Sequence, residues 1–186
     1  MIEEAVDSIS QDTQNLDVSG LFLKVVQGFE LNLNGIHGMY HWARVLENGL
    51  KLSEVNGADK RIIILFALFH DSKRESDGFD PQHGRRGALF VQQFRNHLFQ
   101  IEDQTFQKLT YACEYHSDEL MDSDVTIQTC WDADRLDLGR VGIMPKKSLM
   151  SRSVSDHPEI FEGSTERGYS GFINETARMW EKLRLT

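Results

Sequence analysis

RIIILFALFHDSKRE, residues 61–75, sets an unbroken run of eight apolar residues, Ile62 to Phe69, directly against the charged pair His70-Asp71. A helix over this run is apolar on nearly every side, so it belongs at the centre of a fold rather than on its surface. Eight residues fall far short of the roughly 20 that a membrane span needs. Asp59 is placed to cap the helix, and its end delivers His70 and Asp71 into apolar surroundings.

Working outward, every neighbouring segment carries helical periodicity. Upstream, a helix from about His37 or Tyr40 to about Val55 has the stripe Trp42, Val45, Leu46, Gly49 and Leu50, and Asn56-Gly57 ends it. Before that stand the apolar segment Leu21 to Phe29 and the turn signal at residues 32–35. Downstream, a polar loop from Ser72 leads to Asp80-Pro81, a start signal that predicts a helix through Ala88, Val91, Phe94 and Leu98. The next helix begins near Thr105 and carries Phe106, Leu109, Cys113 and His116 on one side. After an acidic loop, another carries Ile127, Cys130, Trp131, Asp134 and Leu138. Beyond Pro145 the chain is polar and Ser/Glu-rich, and it closes on an amphipathic segment from Phe172 to Leu183. With only three prolines, the expectation is a single all-α domain over residues 18–186, preceded by a flexible acidic segment at 1–17.

Composition bounds the function. The chain has 186 residues, 40% hydrophobic and 26% charged, which excludes a mostly disordered protein. Twenty basic against 29 acidic residues give a net charge of −9, a poor match to a nucleic-acid backbone, so no polymeric nucleic-acid partner is expected. The opening 17 residues are acidic and lack an apolar stretch, unlike a secretory or transit peptide. Cys113 and Cys130 fit no thiol zinc site and read as reduced core thiols, in keeping with a cytoplasmic, membrane-free protein.

Polar residues standing where apolar ones belong carry the chemistry. His70 ends the most hydrophobic helix, His116 is in register with Leu109 and Cys113, and Asp134 falls on the stripe of Ile127, Cys130, Trp131 and Leu138. A buried carboxylate without a partner is very costly. One divalent cation shared by inward histidines and carboxylates satisfies them together; pairing of Asp134 with Arg44 or Arg140 is the alternative. Lys73, Arg74, Arg85 and Arg86 form a basic cluster beside His70-Asp71, suited to phosphate oxygens.

The order His41 in HWARV, His70-Asp71 in LFHD and Asp134 in DADRLD resembles the HD superfamily of metal-dependent phosphohydrolases, over residues 36–142. The resemblance implies an all-α HD-domain helical bundle and hydrolysis of a nucleotide or related small phosphate ester by metal-activated water. It implies that His41, His70, Asp71 and Asp134 hold a divalent ion: manganese, iron, cobalt, nickel, zinc or magnesium. Asp132 is the fallback for the last ligand or an orienting group. Asp71 then doubles as a candidate base, and His116 or Glu75 manages the leaving-group proton. Related hydrolases place an acid three or four positions after this aspartate, and here the third is Arg74. His83, in HGRRGA, with Lys73, Arg74 and Arg86, is expected at the substrate phosphate, and His83 and His116 also suit a second metal. Arg44 is expected to hold a carboxylate behind the ligands. His37 lies four residues before His41, and His97 reads as structural. Two other readings stand beside this one. Some enzymes of the superfamily fold are di-iron oxygenases with six ligands in the order His, His-Asp, His, His, Asp, although the gap from Asp71 to His83 is short for that pattern. A non-catalytic metal- or nucleotide-binding domain is the other.

Overall fold

In a computed structural model that describes residues 16–185, all eight residues of the run Ile62 to Phe69 are buried. They form helix α3, Lys60–Phe69, whose first turn is capped by the Asp59 carboxylate accepting from the Arg61 N–H at 2.9 Å. Around it pack α1 (Val18–Gly28), α2 (Met39–Asn56), α4 (His83–Gln92), α5 (Asp103–Tyr115) and α6 (Val125–Arg135). A short α7 (Arg152–Ser155), α8 (Pro158–Ser170) and α9 (Glu175–Leu183) complete the chain, with 3-10 turns at Leu138–Val141 and Lys147–Leu149. Among the described residues there is no sheet, only isolated bridges at Phe99 to Leu16 and Arg95. The fold is all-α, and no described helix is long and apolar enough to cross a membrane.

The end of α2 follows the sequence: Gly57 takes the left-handed conformation (φ 73°) that closes the helix. Cys113 and Cys130 are free and buried, as expected. Trp180 of α9 stacks on Phe22 of α1 at 4.8 Å, so the C-terminal amphipathic segment belongs to the core.

Three boundaries differ from expectation. Residues 1–15 of the expected acidic segment lie outside the described residues, while Leu16 and Asp17 join the domain: the Asp17 N–H donates to Leu98, and its carboxylate caps α1. Helix α4 starts at His83 rather than at Pro81, because the Asp80 carboxylate is taken by Arg86 and by the Glu75 N–H. It also stops at Gln92; residues 93–98 turn, with Asn96 left-handed at φ 66°. The polar tail contains α8, which buries only Phe161, Ser164, Thr165 and Gly168 and so shows no apolar stripe. Its readable signals were Pro158 in the first turn and Gly171, left-handed, at the end. Phe161 closes a second small core with Leu52, Leu136, Met150 and Val154.

Two glycines bring α4 against the ends of its neighbours. A Cβ on Gly84 would stand 2.5 Å from the Cys113 carbonyl oxygen, and one on Gly87 would stand 2.4 Å from that of Phe69. Backbone cannot yield as a side chain can. Gly87→Ala should therefore cost about 1–3 kcal/mol by overpacking, read by urea unfolding. Gly163→Ala meets only the end of Arg167 and should match or exceed wild-type stability.

Candidate metal centre

Six side chains from five helix ends meet at one end of the bundle. His41 comes from the first turn of α2, His70 and Asp71 from the end of α3, His83 from the first residue of α4, His116 from the residue after α5, and Asp134 from the last turn of α6. Five of the side chains are at most 5% exposed; Asp134, at 17%, is the most open.

The outer nitrogen of each ring has an acceptor. Nδ1 donates to the Phe66 carbonyl in His70 (3.0 Å), to the Cys113 carbonyl in His116 (2.8 Å), to the Asp80 carbonyl in His83, and to the Asp137 carboxylate in His41 (2.8 Å). A neutral imidazole bound this way turns a lone pair inward at Nε2. The inward atoms crowd one another: His41 and His70 Nε2 are 3.1 Å apart, and His83 and His116 Nε2 are 3.0 Å apart. Asp71 lies between the pairs. Its Oδ2 is 3.5 Å from His41 and 3.7 Å from His70; its Oδ1 is 3.3 Å from His83 and 3.6 Å from His116. Asp134 Oδ1 adds to the first pair, 3.3 Å from His41 and 3.9 Å from His70. Two groups that can hold a metal ion result, His41-His70-Asp71 and Asp71-His83-His116, sharing one carboxylate.

Protons must otherwise occupy the space between facing lone pairs. Burial opposes charge on His41, but Asp134, Asp137 and Asp71 outweigh it and raise its pKa to about 9; burial takes His70 down to about 3. The second pair splits likewise, His83 lowered by burial and His116 raised by Asp71 against burial. In the first pair His41 thus holds a proton at neutral pH in a place that a cation can take. Asp71 and Asp134 stay well below the usual carboxylate range despite burial, because the surrounding imidazoles favour their charged forms.

Behind His41 stands Asp137, a residue the sequence reading missed. It is fully buried, accepts from Arg44 Nε at 2.7 Å and Nη2 at 3.1 Å, and orients the ring of His41. Arg44 thus holds a carboxylate as expected, but that of Asp137, and neither Arg44 nor Arg140 pairs with Asp134. Asp137 had a signal, the second aspartate of DRLD, three residues beyond Asp134. Asp132 faces away, bonded by Gln128 and the Ser151 N–H, and burial raises it.

The basic cluster is divided. Arg74 reaches the centre, donating to Asp71 Oδ1 at 2.8 Å and lying 3.3 Å from His83 Nε2. Lys73 does not: it donates to the Gly28 carbonyl and lies over the Phe90 ring. Arg86 braces the loop through Asp80 and the Lys73 carbonyl, and the exposed Glu75 carboxylate turns to Arg86, so neither meets the cluster. All three therefore stand away from the expected phosphate and proton-transfer positions, each held by another partner: the α1 carbonyl for Lys73, and groups of the loop for Arg86 and Glu75. His37 precedes α2 and binds Asp77 at 2.9 Å, and His97 is exposed. The twelve positions from Asp71 to His83 suffice to bring both to the centre, because a compact loop closed by Arg74 and Arg86 spans them.

Comparisons with family models, curated proteins and solved structures find no match for this chain.

Manganese titration of metal-free protein should show two ions per chain, one for His116→Ala and none for Asp71→Ala. Near neutral pH the first ion should release about one proton from the His41 pair, read by calorimetry in buffers of different ionisation heat. Affinity should rise with pH up to about 9, where His41 loses its proton. The sign for metal-free stability is opposite: the His41 contribution is complete below its unfolded value of 6.5 and fades as the pH rises through about 9. Asp137→Asn should weaken metal binding about 10–100-fold, with Asp134 and Asp71 untouched.

Proposed function

We propose that the protein is a metal-dependent phosphohydrolase of the HD-superfamily kind, acting on a nucleotide or related small phosphate ester. One observation supports this most: a single buried carboxylate, Asp71, lies between two pairs of inward-facing imidazoles. His41, His70, Asp71 and Asp134 would hold one divalent ion, and Asp71, His83 and His116 a second. Mixed imidazole and carboxylate donors suit manganese, iron, cobalt, nickel or zinc and weigh against magnesium. Such an ion supplies Lewis acidity to a phosphoryl oxygen and lowers the pKa of bound water.

The chain's own residues prepare that chemistry. Asp137 and three backbone carbonyls fix the four rings, so the donors need no rearrangement when charge develops. Arg74 holds Asp71 and offsets part of its charge. His116 serves as a holder, since its Nε2 faces Asp71 and its Nδ1 is bonded to a carbonyl, which leaves no nitrogen for a leaving-group proton. By the same criterion Asp71 serves as a holder rather than the expected base, since both of its oxygens are engaged by the rings and Arg74.

The convergence of all six residues, His41, His70, Asp71, His83, His116 and Asp134, also favours a second reading, a di-iron oxygenase, for which that order is the ligand set. A panel of nucleotides and phosphate esters, tested with protein reloaded separately with manganese, cobalt, nickel, iron and magnesium, distinguishes the two. Phosphate or pyrophosphate release that requires both metal and Asp71 is the expected result, with Asp71→Ala falling at least about 100-fold. Silence across the panel from metal-loaded protein, with oxygen uptake by the iron form, would sink the hydrolase reading. Tight nucleotide binding without turnover would leave a sensor domain.

A further inference from the structure

Most cations near the centre are committed to a carboxylate: Arg44 to Asp137, Arg74 to Asp71, and Arg86 to Asp80. Arg140 is different. It lies in the 3-10 turn Leu138–Val141, directly after Asp137. Its Nε donates to the Ile36 carbonyl at 2.8 Å and its Nη1 to the Asp137 carbonyl at 3.2 Å. Among the described residues no carboxylate forms an ion pair with it. The two carbonyls belong to the residue before His37 and to the residue that orients His41, so the guanidinium is pinned beside the cluster. Its charge acts on His41, on His37 and on Asp134, the most open of the candidate ligands. An arginine held by two neutral acceptors keeps its full charge and has N–H groups to spare on Nη1 and Nη2.

We propose that Arg140 is the specificity-determining residue of the site, gripping the third oxygen of a terminal phosphate and so selecting phosphomonoesters and terminal anhydrides over phosphodiesters. The inference rests on the phosphohydrolase reading and deepens it. A terminal phosphate has three unsubstituted oxygens and carries up to two negative charges; a diester has two such oxygens and one charge. With two oxygens turned to the Asp71 cluster, a third is left for Arg140 only on the terminal phosphate. The guanidinium fork suits that contact, since charge-assisted hydrogen bonds to phosphate are among the strong ones. Lys73 and Arg86, the more obvious candidates in the sequence, are held elsewhere.

The test uses the manganese-loaded 186-residue chain and two variants. Arg140→Gln keeps an amide donor for the carbonyls and removes the charge; Arg140→Lys keeps the charge and removes the fork. Inorganic phosphate binding is measured by calorimetry, and turnover is compared between 4-nitrophenyl phosphate and bis(4-nitrophenyl) phosphate. Arg140→Gln should weaken phosphate binding and lower kcat/KM for the monoester by about 10–100-fold, with the diester changed far less and metal content unchanged. Arg140→Lys should recover part of the loss. Equal losses on both esters, unchanged phosphate affinity, or a fall in metal content that accounts for the loss would overturn the proposal. Failure of the broader reading looks different. If wild type turns over neither ester and Arg140→Gln still loses phosphate affinity, the anion site stands and the hydrolase does not. If wild type cleaves the monoester and Arg140→Gln does so equally, the hydrolase stands and the anion site does not.

Discussion

Asp71 is a carboxylate buried at the end of the most apolar helix, and the groups around it are arranged as its charge requires. A bare carboxylate there would be prohibitively costly. Four imidazoles and Arg74 surround it, each within 3.7 Å. Helices α2, α4, α5 and α6 all point an end at this residue, and Gly84 and Gly87 allow α4 to come close enough to contribute. The apolar body of the bundle and its polar end are therefore two parts of one design: rigid packing below fixes the positions of charged groups above.

A second layer of charge makes that arrangement specific. The buried pair Arg44 and Asp137 stabilises the fold less than its Coulomb attraction suggests, since both groups lose water. Its effect is directional. By accepting from Nδ1 of His41, Asp137 decides which nitrogen faces the centre. Backbone carbonyls do the same for the other three rings. Consequently all four Nε2 atoms turn inward, an arrangement that is unfavourable for neutral rings alone and favourable around cations.

The loop from Ser72 to Asp80 shows why local charge is a poor guide to a site. Four basic residues near His70-Asp71 look equivalent in the sequence. In the fold, Arg74 turns to Asp71, while Lys73 finds a carbonyl of α1 and Arg86 closes the loop on Asp80. Arg140, far along the chain, arrives beside the cluster because the turn after Asp137 brings it to the Ile36 carbonyl.

Periodicity and caps alone made the central helix, α2, α6, the end of α2 at Gly57 and the all-α class legible, because those signals are local and the burial of an apolar stripe follows from them. Polar residues on such stripes, His70, His116 and Asp134, were legible as a candidate centre for the same reason. Helix α8 was hidden because it buries few apolar side chains, and the Asp80 cap failed because Arg86 offered that carboxylate a stronger partner. The role of Asp137, the separation of Arg74 from its basic neighbours and the placement of Arg140 against the Ile36 and Asp137 carbonyls were decided only in three dimensions. Each depends on which of several nearby partners a charged group meets first, and that is set by the docking of helices distant in sequence.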